Sequence, residues 1–551
     1  MSSRARRKQQ PGLAAIHRQR LTRIEQALAA GDIAGAAALA EKALAAGQAD
    51  PMLLNLAAWK REEDGDFAGA HQLLRKALAI SPDDPLILAA IGAVLRKEGY
   101  PHDALAMLDK ALAIAPRHAA GWLERGYVLD DLRLEKEATD SYARAVALDP
   151  NLAPALGKLA DGAAKRGEKD QGRALAARAL TLNPAEPAAT AALATMEIEG
   201  GESEAAERRL KALLVQPLQD DDRTRALTLL GDALDKRDRT AEAWTSYEQA
   251  QASFRRMYGP YLTPAPGRPS HRQFIETITR QVEMAGPMRP VEAAAVEGAA
   301  TRHVFLLGYP RSGTTLVENI LASAADVVAL EERDTLRETD HALIPNDGRM
   351  PDLDALDPAL LQSLRQSYWE RVRGLAGEDV VGRTFVDMNP YNGIKLPVLA
   401  RLFPDARILI MRRDPRDVVL SCFRINFVAS PGAYALSDLE EAARHYDALM
   451  RLTELCRERL PLAFHEVRYD RLIGDFEPTV RAFADFIGIG WTDDFKSFDK
   501  TAKQRGVRTA SATQVRRGLF DGRGQWRRYE EQLRPVLPIL APWVERFGFE
   551  A

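Results

Sequence analysis

Four prolines, Pro82, Pro116, Pro150 and Pro184, follow one another at a spacing of 34 residues. A fixed period of this length restricts the region to stacked supersecondary units, because each unit must bury its apolar face on the next. Other columns keep the same period. Ala43, Ala77, Ala111, Ala145 and Ala179 share it, as do Ala36, Ala70, Ala104, Ala138 and the equally small Gly172. A third column holds Gly31, Gly65, Gly99 and Gly167 with Arg133 as its exception, and a fourth holds Ala58, Gly92, Gly126 and Ala160. Small residues suit the place where two helices cross closely, glycine suits the left-handed residue that ends a helix, and proline cannot continue one. Each unit reads as a helical hairpin.

The pattern weakens over 187–223 and returns near 224–257 with Gly231, Ala243, Tyr247 and Ala250. On these columns the region resembles the tetratricopeptide repeat family, with roughly six or seven repeats. The resemblance implies an all-α superhelix over 17–257, with a concave groove that holds a protein or peptide; a spacer or oligomerisation arm is the alternative. The basic start, MSSRARRKQQPG, is followed by no long apolar run and reads as a disordered arm, 1–16, rather than a targeting segment. A Pro- and Gly-rich stretch, 257–272, marks a boundary. Residues 258–301 read as a linker with one helical segment, and 302–551 as a second domain.

Composition narrows the function classes. A length of 551 residues asks for about three or four domains. The net charge of −3 gives no electrostatic motive for binding nucleic-acid backbone or an anionic membrane. No run of 18 apolar residues is present, so no membrane span is expected. Two cysteines, Cys422 and Cys456, are too few for a disulfide framework and point to a reducing cytoplasm. The nine histidines are scattered, without metal-ligand spacing, so no metal is expected.

The chemistry begins at HVFLLG (303–308), an apolar strand, followed by the loop YPRSGTT and by LVENILASA (316–324), which has helical spacing. Strand, glycine loop and helix form the arrangement in which backbone amides grip a phosphate. The spacing Gly308-x4-Gly313-Thr314-Thr315 nearly matches a P-loop, but Thr314 stands at the lysine position. Arg311, Ser312, Gly313, Thr314 and Thr315 suit a smaller 5′ anion instead. GYPRSGTT resembles the 5′-phosphosulfate loop of the sulfotransferase family, which uses 3′-phosphoadenosine 5′-phosphosulfate (PAPS).

A second strand, turn and helix follow in ARILIMRRDPRDVVLSCF (406–423). In the family an arginine closing this strand and a serine eight residues later clamp the donor's 3′-phosphate, and Arg413 and Ser421 match. The resemblance is strongest to the protein-tyrosine sulfotransferase branch, over about 302–549. It implies an α/β P-loop-like domain with a parallel sheet. Glu331 and Glu332 match a glutamate pair whose second member is the catalytic base, a role suited to a carboxylate in a desolvated cleft. Tyr469 matches a tyrosine near the adenine, and Ser511 a serine contacting the bridging oxygen. GQWRRYEEQL (524–533) resembles the family's closing segment, with Gln525 at a usually basic position.

One departure is Met388, in Val386-Asp387-Met388-Asn389-Pro390, where the family has a lysine that stabilises the transferring sulfuryl group. Lys395 is the substitute if its segment turns inward. Together these residues imply a PAPS-dependent sulfotransferase acting on a hydroxyl acceptor, a tyrosyl peptide or a carbohydrate or small molecule. The alternative is a repeat-based adaptor with a nucleotide-binding, catalytically silent domain; an ATP-dependent kinase is disfavoured by Thr314.

Overall fold

The computed structural model describes residues 10–505, 515–516 and 518–550. The chain forms two compact units, Met1–Leu193 and Ala194–Ala551. The first is built of antiparallel helix pairs, Gln10–Ala29 with Ile33–Ala45, Pro51–Glu63 with Phe67–Ile80, Pro85–Lys97 with Pro101–Ile114, Ala119–Asp131 with Glu135–Leu148, and Ala153–Arg166 with Lys169–Leu182. Each periodic column has its physical place here. The alanines of the first two columns are buried where helices cross. A Cβ on Gly126 would lie 2.3 Å from the Tyr142 ring and one on Gly92 would lie 2.6 Å from Leu108, so the fourth column sets how closely the two helices of a pair approach. Gly31, Gly65, Gly99 and Gly167 all have positive φ just past a helix end.

Two boundaries differ from the sequence expectation. The helix Gln10–Ala29 begins inside the arm expected to be disordered over 1–16; residues 1–9 lie outside the described residues. The division at Leu193 falls well before the expected end of the array at 257. The reason is side-chain chemistry on the helices Asp220–Asp235 and Thr240–Leu262. Trp244 stacks on Phe423 at 4.9 Å, and Gln251 Nε2 donates to the carbonyls of Phe423 (2.7 Å) and Ile425 (3.2 Å). Asp235 accepts from Arg424 (2.9 Å) and from the Tyr529 hydroxyl (2.6 Å). The linker of 258–301 is also structural: its helix His271–Ala285 starts with a Ser270 capping box, buries Ile275, Ile278 and Val282, and pairs Arg272 with Glu441.

The second unit holds a parallel five-stranded sheet in the order β2-β3-β1-β4-β5, with β1 Arg302–Leu307, β2 Val327–Glu331, β3 Thr384–Met388, β4 Arg407–Arg412 and β5 Ala463–Arg468. Both faces are covered, as a parallel sheet requires. Val304, Leu306, Val386, Met388, Leu409 and Met411 join the core beside the helix Thr314–Ala322. Their strand neighbours Phe305, Leu307, Phe385, Ile408 and Ile410 join the core on the opposite face. Because β1 has β3 on one side and β4 on the other, the strand order reverses at β1. That reversal opens a crevice at the carboxyl ends of β1 and β4.

Candidate active site

The loop leaving β1 enters this crevice. Ser312 N–H donates to the Tyr309 carbonyl (3.0 Å), and Gly313 caps the helix Thr314–Ala322 with φ of 108°. A Cβ at Gly313 would lie 2.9 Å from the Tyr469 ring, and one at Gly308 would lie 2.6 Å from Ser312 Oγ, so close approach requires both glycines and positive φ adds to the requirement at Gly313. Ser312, Thr314 and Thr315 are buried at the helix start, and Ser312 Oγ has no hydrogen-bond partner among the described residues. Arg311 is a non-glycine residue at φ of 70°. That conformation costs on the order of 1–2 kcal/mol in an L-residue and is kept where the surroundings impose it.

Arg413, the residue after β4, meets this loop. Its Nη1 donates to the Arg311 carbonyl (3.0 Å), its Nη2 to the Gly522 carbonyl (2.6 Å), and its guanidinium lies 4.8 Å from the Tyr469 ring centroid. Its Nε is buried without a hydrogen-bond partner among the described residues. Arg311 Nε donates to Ser421 Oγ at 3.1 Å, and Tyr469 donates its hydroxyl to the Phe520 carbonyl at 2.6 Å. Burial, and then the neighbouring Arg413 charge, pull the Arg311 pKa down to about 10, so Arg311 remains a cation at neutral pH. Arg311, Gly313, Arg413, Tyr469, Val515 and Phe520 line one cleft. The structure thus brings together Arg311, Ser312, Gly313, Thr314, Thr315, Arg413, Ser421 and Tyr469, and it leaves buried donors there for an anion. Ser511 lies outside the described residues. The neighbouring arginines do other work: Arg412 is buried in ion pairs with Glu454 and Glu466, and Arg416 chelates Asp414 and lies 3.8 Å from the Trp526 ring centroid.

Glu332 follows β2 with φ of 47°, and its amide donates to the Met388 carbonyl at 2.7 Å, so β3 fixes the turn. Its charge acts on Arg311, on Tyr391 and on the buried Glu318, which burial first, and the nearby carboxylates second, push up to about 7 against the opposing ion pair from Arg505. Glu332 itself is exposed, which corrects the expectation of a desolvated carboxylate. Met388 is fully buried in the apolar core, between Leu306 of β1 and Glu331 of β2 in register. The Lys395 ammonium is held by Asp340 at 2.6 Å.

Two supporting networks escaped sequence reasoning. Tyr309, in the loop after β1, hydrogen-bonds His445 Nδ1 (2.7 Å), whose Nε2 hydrogen-bonds His271 Nδ1 (2.7 Å). Behind Glu332, Asp387 accepts from Thr335 (2.7 Å) and Tyr368 (2.8 Å), and the Tyr368 hydroxyl also hydrogen-bonds His303 Nε2 (2.8 Å). Burial raises the Asp387 pKa to about 6 and lowers His271 to about 4, His303 to about 3 and His445 well below the usual range, so the three imidazoles are neutral at pH 7. No motif spans these partners, which lie 19 to 174 residues apart.

Comparison with known proteins agrees with the two-part organisation. Residues 303–493 match the profile of the sulfotransferase family and residues 62–125 that of the tetratricopeptide repeat. An uncharacterized protein of Aquifex aeolicus (strain VF5) is 32% identical over 48% of this chain and 35% of its own length. The omega-hydroxy-beta-dihydromenaquinone-9 sulfotransferase Stf3 of Mycobacterium bovis is 31% identical over 21% of this chain and 31% of its own. Protein-tyrosine sulfotransferase 1 of Danio rerio is 22% identical over 45% of this chain and 72% of its own. The chain thus spans about a third of the length of the first two relatives. Among the described residues no helix is long and apolar enough to cross a membrane.

Proposed function

We propose, for a chain that joins tetratricopeptide repeats to a domain of the sulfotransferase family, that it moves a sulfuryl group from PAPS to a hydroxyl acceptor, with the repeats recruiting a protein or peptide. The observation that carries this reading is the convergence of Arg311 and Arg413, with Ser421 and Tyr469, at the carboxyl ends of β1 and β4. Loop amides and Arg311 hold the 5′-phosphosulfate; Arg413 and Ser421 take the 3′-phosphate; the Tyr469 ring packs near the adenine. Ser511 contacts the bridging oxygen. Glu332 takes the acceptor proton as the hydroxyl displaces 3′,5′-ADP from sulfur, a transfer that depends on positioning and on stabilising charge. Both cysteines are free and buried, in keeping with a cytoplasmic setting.

For the acceptor, a tyrosyl peptide follows from the resemblance to the tyrosine-modifying branch together with a repeat array that binds peptides. A second reading, a silent nucleotide-binding adaptor, draws on Met388 and on the engagement of Lys395 by Asp340, which leave the transferring group without the family's lysine. Incubation of the full chain and of Glu332→Ala with sulfur-35-labelled PAPS and cell extract separates the two. Transfer by wild type and a loss of about 10²–10⁴-fold in the variant is expected. Equal labelling by both removes Glu332 as the base, and no labelling by either leaves the adaptor.

A further inference from the structure

Tyr391 stands three residues beyond Met388, in the 3-10 helix Pro390–Lys395, where the Asn389 side chain accepts from its amide at 3.0 Å. Its ring is met edge-on by His271 (centroids 5.5 Å apart, 74°) and by His445 (6.1 Å, 83°). Those two imidazoles stack on each other at 5.0 Å, and His445 is tied through Tyr309 to the loop after β1. A ring so packed cannot swing its hydroxyl elsewhere without breaking these contacts. The hydroxyl oxygen is nevertheless buried and has no hydrogen-bond partner among the described residues. A buried phenol ordinarily finds one, so the missing partner needs a physical reason.

Its surroundings supply one. Gly432 lies against the hydroxyl: a Cβ built there would be 3.2 Å from the oxygen, so any side chain at that position would crowd it. The backbone leading into Tyr391 is the strand end whose Met388 carbonyl receives the Glu332 amide, which sets the tyrosine and the glutamate on neighbouring turns. Burial, with the nearby Cys422 and Glu332 adding to it, holds the phenol well above its ordinary pKa, so the group is a standing hydrogen-bond donor.

On the reading of the previous subsection, we propose that Tyr391 is an acceptor-positioning residue: its O–H donates to the acceptor's reacting oxygen beside Glu332. In the transfer the acceptor O–H bond breaks and its proton passes to Glu332. The new S–O bond forms on the acceptor oxygen, and the S–O bond to the donor's 5′-phosphate breaks to release 3′,5′-ADP. Tyr391 keeps its own proton throughout. A donor in this place orients the oxygen lone pair that attacks sulfur.

The test uses the full chain, sulfur-35-labelled PAPS and cell extract, with calorimetric 3′,5′-ADP binding measured alongside. Tyr391→Phe keeps the ring and removes only the oxygen; a fall in labelling of tenfold or more, with 3′,5′-ADP affinity within twofold of wild type, is expected. Gly432→Ala, which crowds the hydroxyl, should lower labelling in the same way. Labelling by Tyr391→Phe equal to wild type overturns the role of Tyr391 and leaves the transferase reading in place. Loss of 3′,5′-ADP affinity in Tyr391→Phe overturns it too, because the residue then serves the donor side or the fold. Absence of labelling by wild type, with 3′,5′-ADP still bound, removes the transferase reading and the Tyr391 role together.

Discussion

In the repeat unit, left-handed backbone positions between paired helices are filled by Gly31, Gly65, Gly99 and Gly167, whereas in the crevice of the sheet unit they are filled by Arg311 at φ of 70° and Glu332 at φ of 47°. At four of these five positions the repeats use the residue that meets the conformation at least cost, Arg133 being the fifth. The crevice keeps residues that strain the backbone; on the proposed function their side chains serve the ligand, and the surrounding network must hold them. Arg311 is fixed through its carbonyl by Arg413 and through its side chain by Ser421; Glu332 is fixed through its amide by Met388. Local conformation is therefore informative in opposite ways: it reports chain geometry in one unit and chemistry in the other.

The largest effect that sharpens this contrast is acid sensitivity. The strained loop and turn are backed by neutral His445, His271 and His303, whose folded pKa values lie below the usual 6.5. The unfolded chain binds protons that the folded chain refuses, so this stabilisation is complete above about pH 6.5 and is lost as pH falls from there toward 4. Glu318 at about 7 and Asp387 at about 6 run the other way, since acid relieves their burial, but two carboxyls offset only part of three imidazoles. A tenfold difference in proton affinity between folded and unfolded chain is worth about 1.4 kcal/mol, so a net loss of a few kcal/mol is expected. Urea midpoints between pH 7 and 4 measure it. Hydrogen exchange should show the amides around 303–335 opening before the helix pairs of the first unit, and the reverse order would break the contrast.

A smaller effect separates backbone cost from chemical gain at Arg311. Arg311→Gly removes both the left-handed strain and the crowding of Arg311 against Arg413, so stability should not fall, while 3′,5′-ADP affinity should drop roughly 10- to 100-fold through loss of one charged donor. Calorimetric titration with chemical denaturation reads both quantities. A large loss of stability with unchanged affinity would mean that Arg311 serves the fold.

Legibility from sequence divides along the same line. The helix pairs could be read because the period of 34 residues repeats one packing solution, and the loop after β1 could be read because Gly308 and Gly313 mark where the backbone is closely approached. Arg413 and Ser421 were legible only through resemblance, as were Glu332 and the substitution at Met388. His271, His303, His445, Tyr391 and Asp387 were not, because their partners meet through tertiary packing between elements far apart in the chain. The docking of 220–262 onto the sheet unit was hidden for the same reason: repeat periodicity describes how one helix meets the next, and Trp244 and Asp235 belong to that pattern and to a second interface at once.

The smallest effect lies at Arg133, the exception in the glycine column. Its φ is 59°, and its hydrogen bonds repeat those of the glycines: Arg133 N–H donates to Asp130 and Leu134 N–H to Leu129, as Gly99 donates to Arg96 and Tyr100 to Leu95. The side chain is exposed. Glycine relieves about 1–2 kcal/mol of steric cost and gives back about 0.5–1 kcal/mol through a more flexible unfolded chain. Arg133→Gly should therefore raise the stability of the pair Ala119–Asp131 and Glu135–Leu148 by roughly 0.5–1 kcal/mol, read as slower hydrogen exchange in those helices, with PAPS-dependent labelling unchanged. A loss of stability would show that Arg133 is held in place for its side chain.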